Sequence, residues 1–221
     1  MATRVQVEEF RSNTAGLVDL AKDDLRAFWE ALDLAGNPLL VRDALEEFMP
    51  LLIETYGDAA GVLGADFYEE LRDATEARFV VAVGSSPSVT QVQASTRWAL
   101  GPLFQPVPNP AQALLNIEGS TQRLVLQAAR DSIFDSAAKD PVRTGFARVP
   151  RGAKTCKFCT MIASRGAVYS SARNAGQSNE WHDDCDCVIT AVRSAADFPE
   201  GYDPDEFLKL YADGVGVGQT D

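Results

Sequence analysis

The chain has 221 residues, of which 46% are hydrophobic and 24% charged, and it carries a formal net charge of −12 at pH 7. That apolar share is enough to bury a core in one medium domain or two small ones. The acidity excludes general nucleic-acid binding as a bulk property, because non-specific affinity for DNA comes from Lys and Arg neutralising phosphates.

In chain order, the first two-thirds read as helical. From Val7 to Leu32 the apolar set Phe10, Leu17, Ala21, Leu25, Phe28 and Leu32 recurs mainly at steps of three and four, one face of a helix. The triplet GNP at 36–38 ends it with a turn. The next run, LLVRDALEEFMPLLIETY, carries Val41, Leu45, Phe48 and Leu52 on one stripe. Pro50 is expected to kink or divide it, since proline removes a backbone donor and crowds the preceding turn. A third helix is expected from about Gly64 to Ala77. These stripes read as helix-packing core.

GSSPS at 84–88 and QPVPNPAQ at 105–112 read as linkers or turns. Between them lies a short helix on which Trp98 is expected to be buried. Ala111 to Asp140 reads as another long helix. At Pro141 the character changes. GFARVP and CVITAV alternate or run apolar over five or six residues, as short strands do. After Ala196 come an acidic stretch, a short helix DEFLKLYA and a Gly-rich tail.

Charge is uneven along this order. From Pro141 to Asn179 there are seven basic residues and no Asp or Glu, so that stretch is +7 and the remainder −19. This is either a solvated basic surface balancing an acidic body or a contact surface for DNA or an acidic partner. The first ten residues, MATRVQVEEF, have no apolar core of signal-peptide type, and no run approaches the roughly 18 apolar residues of a membrane span. The cysteines are therefore expected in a reducing cytosol, where a Cys/His cluster more often means metal or catalysis than disulfides.

All four cysteines and the single histidine fall in two short stretches, TCKFCTMIASRG at 155–166 and HDDCDC at 182–187. Cys156-x-x-Cys159 is the spacing at which a tight turn lets two thiolates grip one ion. His182-x-x-Cys185 repeats it, and Cys187 lies two further on. A tetrahedral zinc site needs four Cys or His ligands, and here there are five candidates. Cys156 and Cys159 supply one half; two of His182, Cys185 and Cys187 supply the other. An extended chain would point Cys185 and Cys187 the same way, whereas a turn would favour His182 and Cys185. Asp183 and Asp186 read as solvated or as supporting the ligands from outside. Structural zinc contributes on the order of 10–16 kcal/mol in small peptides, enough to fold a module with little core of its own. Two other readings stand beside it: redox or disulfide pairs, and a cysteine nucleophile with His182 as base, which would leave the paired spacings unexplained. With one histidine there is no H-E-x-x-H, and if His182 binds zinc none remains for a Ser-His or Cys-His pair. There is also no P-loop and no G-x-G-x-x-G after a strand.

The stretch ARVPRGAKTCKFCTMIASRGAVYSSARNAG, followed by WHDDCDCVI, resembles the C-terminal part of MuF-like minor head proteins of tailed bacteriophages, in the form found in phages of actinobacteria. LVRDALEEFMPLLIETYGDAA and FYEELRDA are similar to the helical N-terminal part of the same group. The resemblance covers most of Leu39 to Val192, and its specific elements are C-x-x-C, S-R-G at 164–166 and H-x-x-C-x-C. It implies a virion component made beside the portal protein, sited inside the head and needed for head assembly, with the host cytoplasm as the place of assembly. The implied partners are the portal protein, the major capsid protein or both. Relatives of this type are often labelled capsid maturation proteases, which makes a protease the runner-up, although no catalytic residues stand out here. More distant members often have Pro after the His and Arg between the last two Cys, where this chain has Asp183 and Asp186.

The expectation is thus an α+β protein. A mainly helical region over 1–140 precedes a small zinc-binding α+β module over 141–196 and a C-terminal extension over 197–221. The expected role is structural, in phage head morphogenesis. Packaged DNA could be touched through Arg148, Arg151, Lys154, Arg165 and Arg173, and no membrane is involved.

Overall fold

A computed structural model describes residues 3–72, 78–142, 145–150, 157–167, 181–185, 187–192 and 198–213. Helix α1 spans Arg4–Glu30. It opens on a capping box, in which Thr3 Oγ1 accepts from the Gln6 N–H at 3.1 Å and Gln6 Oε1 accepts from the Thr3 N–H at 2.9 Å. Its buried stripe is Val7, Phe10, Thr14, Val18, Ala21, Leu25 and Trp29, with Leu17, Phe28 and Leu32 at its margins.

Helix α2 runs unbroken over Pro38–Glu70, so the second helix expected from sequence and the start of the third are one; residues 73–77 of the expected third helix lie outside the described residues. Pro50 sits inside it without dividing it. A proline there leaves the carbonyl of Glu46, four residues back, without its helical N–H. Gln93 Nε2 donates to that oxygen at 3.2 Å and fills the gap. The proline's hydrogen-bonding penalty is thereby offset by a side chain 43 positions away in the sequence.

Helix α3, Val89–Ala99, is capped by Ser88. Its inward residues are Val92, Thr96 and Ala99. Trp98 lies two residues from Thr96, about 200° round the helix, and therefore points outward. It is 64% exposed, contrary to the burial expected for it.

Helix α4, Pro110–Lys139, is the centre of the molecule, with α1, α2 and α3 all packed on it. Contact with α2 is close because Gly64 lacks a side chain: a Cβ there would lie 2.8 Å from the Ala129 Cα. The stretch after α2, which contains the supposed GSSPS linker, is pinned along α4. The Ala82 N–H donates to Ser136 Oγ and the Gly84 N–H to Ser132 Oγ, while the Ser132 hydroxyl donates to the Gly61 carbonyl at 2.6 Å.

Beyond α4, strand β1 (Gly145–Val149) pairs antiparallel with β2 (Val188–Val192), from Gly145 opposite Val192 to Val149 opposite Val188. Between the strands in sequence lies α5, Lys157–Ala163, and after them α6, Pro204–Ala212. The strand pair packs on α4, with the rings of Phe134 and Phe146 edge to face at 4.9 Å. The Tyr202 hydroxyl donates to the Ala163 carbonyl at 2.6 Å, tying the segment before α6 to α5. One apolar cluster runs continuously from Val7 through Ile133 to Tyr202. Among the described residues no helix is long and apolar enough to cross a membrane.

Candidate metal centre

Two segments converge above the middle of α4. Helix α5 presents Cys159 on its buried side. The turn Trp181–Cys185, leading into β2, brings His182 and Cys185 to the same place. The Sγ atoms of Cys159 and Cys185 are 3.7 Å apart, and Cys159 Sγ lies 3.9 Å from His182 Nε2. All three donor atoms fall within 4.8 Å of one another. For zinc bonded at 2.3 Å to sulfur and 2.0–2.1 Å to nitrogen, tetrahedral edges come to about 3.8 Å for S···S and about 3.6 Å for S···N. The three donors therefore stand close to the spacing one ion requires, and the group could hold a metal.

His182 is exposed, but its ring is oriented from within its own turn. Nδ1 lies 2.6 Å from the Asp183 carbonyl oxygen, which can only accept, so Nδ1 carries the proton. In the neutral ring Nε2, the nitrogen facing Cys159, then carries the lone pair, the form in which a histidine ligates a cation. The described cysteines, Cys159, Cys185 and Cys187, are buried and unbridged. Cys185 is held well below the ordinary thiol range by hydrogen bonds from Cys159 and then Cys187, helped by the nearby Arg130 guanidinium. Its two neighbours are pushed up, Cys159 mainly by its hydrogen bond to Cys185 and Cys187 mainly by its hydrogen bond to Cys159.

Of the five residues singled out by spacing, Cys159, His182 and Cys185 come together, while Cys187, also buried, lies outside that three-donor group. Cys156 and Asp186 lie outside the described residues. Asp183 supports the turn from outside. Its carboxylate accepts from Arg123 Nε at 2.7 Å and from the Ser120 hydroxyl at 3.3 Å, both on α4. Just before them Gly119 lets the turn settle onto the helix, since a Cβ there would meet the Asp183 Cβ at 2.9 Å. Asp184 adopts a left-handed φ of 60°, a conformation Asp tolerates better than most residues and one that closes the turn between the donors.

Residues beyond the motifs complete the surroundings. Arg130 of α4 is 5% exposed and donates through Nη2 to the Cys185 carbonyl at 3.0 Å. Its guanidinium lies 3.7 Å from the centroid of the Trp181 ring, and that of Arg148 lies 3.5 Å from the same centroid. Two guanidiniums this close could not share a face without overlapping, so the indole is sandwiched between them. Arg148, expected at a DNA-contacting surface, is therefore turned inward: it is 2% exposed and presents no surface to a phosphate backbone. Arg165 is exposed in the turn after α5, and Arg151, Lys154 and Arg173 lie outside the described residues. The available sequence signal for Arg130 was a charged residue interrupting the apolar side of a long helix. Trp181 had none beyond its place next to His182.

The chain matches the VG15 protein family over residues 1–214. It is 25% identical over 209 residues to the Gene 15 protein of Mycobacterium phage D29, covering 76% of this chain and 73% of that protein. To the Gene 15 protein of Mycobacterium phage L5 it is 26% identical over 202 residues, covering 70% of this chain and 66% of that one. No solved structure gives a significant match.

Proposed function

We propose that this bacteriophage protein, which belongs to the VG15 family, is a MuF-like minor capsid protein that acts in head morphogenesis and holds a structural zinc ion. The observation that carries the metal half is the convergence of Cys159, His182 and Cys185 at tetrahedral spacing on a turn braced by α4. Soft sulfur donors with one imidazole select zinc among the common divalent ions, and burial suits an ion that organises a fold. Cys156 or Cys187 completes the set. The morphogenesis half is supported by phage relatives and by the motif resemblance of the C-terminal third to MuF-like proteins. In this reading the chain lies inside the head against the portal protein, the major capsid protein or both. Arg165, with Arg151, Lys154 and Arg173, offers the basic contact to packaged DNA.

Metal analysis of purified protein tests the first half. About one equivalent of zinc per chain, with thiols that react only after chelation, is the expected result. No bound metal and one fast-reacting thiol would overturn it. The second half is tested by assembling heads with and without the chain and imaging the portal vertex. The chain should be present in particles, and its omission should impair assembly. Normal infectious heads lacking it would refute the assignment.

A further inference from the structure

Arg130 is a buried cation. Among the described residues it pairs with no carboxylate, and its Nη1 has no hydrogen-bond partner. It meets the Cys185 carbonyl and the Trp181 face, and the nearby sulfurs of Cys185, Cys187 and Cys159 favour its charged form. A buried charge persists only when it is paired, and the sulfurs are the anionic groups this position offers. Zinc in a thiolate-rich site supplies an anion: three thiolates and a neutral imidazole leave the complex at net −1, and four thiolates leave it at −2.

We propose that Arg130, stacked on Trp181 with Arg148 on the opposite face, is the counter-cation of the metal–thiolate centre. It balances the charge that the cysteines bring and fixes the Cys185 backbone through its carbonyl. Arg130 is a positioning residue: it holds a donor and sets the local field, and it does not ligate. A guanidinium does not deprotonate in proteins, so the charge is permanent. The indole between the two guanidiniums keeps like charges apart and offers each a face that attracts cations. The same arrangement sets selectivity, favouring complexes of net negative charge over neutral or cationic ones. This inference rests on the zinc reading above.

The test uses the full-length protein loaded with zinc, competed against a chromophoric chelator at fixed pH, with Arg130→Met and Arg130→Lys beside the wild type. Loss of a residue that supports metal ligands typically weakens binding about 10- to 100-fold, and that loss is expected for Arg130→Met. Thermal unfolding of the metal-free forms separates this from a general packing defect. Metal-free Arg130→Met should match metal-free wild type, with the deficit appearing only when zinc is bound. Arg130→Lys, which keeps the charge, should retain most of the affinity. Equal destabilisation of loaded and metal-free Arg130→Met would overturn the proposal, as would unchanged affinity. If Arg130→Met does not fold, the lysine variant decides: affinity lost as completely as in a cysteine-ligand knockout refutes the charge argument. A wild type that binds no metal sinks the zinc reading and this inference together. A wild type that binds zinc while Arg130→Met is indistinguishable from it sinks this inference alone.

Discussion

Arg123 Nε and the Asp183 carboxylate meet at 2.7 Å, joining α4 to the residue between the His182 ring and the Cys185 thiol. The pair is about three-quarters buried on each side, so it is screened less than a surface pair. Its effect falls on the position of the two donors. Arg123→Ala is expected to lower stability by about 1–2 kcal/mol and to hasten zinc loss to a chelator. Zinc-release kinetics together with denaturant unfolding check this; unaltered release would detach Arg123 from the centre.

Gly119 makes the same docking sterically possible. Gly119→Ala normally favours a helix by up to about 1 kcal/mol. Here the added methyl meets Asp183 and Asp184, so the sign should reverse, with a net loss of about 1–3 kcal/mol. Thermal unfolding of the metal-loaded protein reads the sign directly.

The bond from Gln93 to the Glu46 carbonyl predicts an effect remote from the centre. Gln93→Ala leaves that oxygen short of a donor where Pro50 cannot provide one, at a cost of about 1–2 kcal/mol. In a Pro50→Ala background α2 regains its own N–H, and the same substitution should cost clearly less. A double-mutant cycle by denaturant unfolding measures the coupling. Additivity would show that the two residues act independently.

Asp140, at the end of α4, predicts a pH dependence. Burial would raise its carboxyl, but the Val142 N–H, Arg72 and the Tyr68 hydroxyl together hold it below the ordinary value. A folded-state value below the unfolded one contributes stability that is fully present above the unfolded value and disappears as pH falls through the folded one. Asp140→Asn should therefore cost about 2–3 kcal/mol near neutrality, and the gap to wild type should close below about pH 4. Thermal melts of both proteins from pH 7 down to pH 3 follow the convergence.

Much of this architecture was readable locally. The three- and four-residue steps place α1 and α4, the alternation of GFARV and VITAV gives the strand pair, and the Cys/His spacing marks the convergence of α5 with the turn before β2. What escaped depends on distant partners. Pro50 looked like a break because Gln93, on another helix, repairs it. Trp98 has the size of a core residue, but the helical phase set by Val92 and Thr96 turns it outward. The surroundings of the candidate metal centre, namely Gly119, Ser120, Arg123 and Arg130, form no motif. They are individually ordinary residues that acquire meaning only when the turn of residues 181–185 lies across α4.

The sandwich of Arg130, Trp181 and Arg148 has a consequence for the order of events during synthesis. Chains fold as they emerge, N-terminal parts first. Helices α1 to α4 can assemble while Trp181 and the second set of donors are still unmade, leaving Arg130 hydrated on an unfinished face. Only when the segment from Trp181 to Val192 has left the ribosome can the indole cover that guanidinium and β2 pair with β1. Closure of the centre is therefore the last step in forming this part of the molecule, and a nascent chain stopped before Trp181 would carry an exposed arginine in place of a finished site.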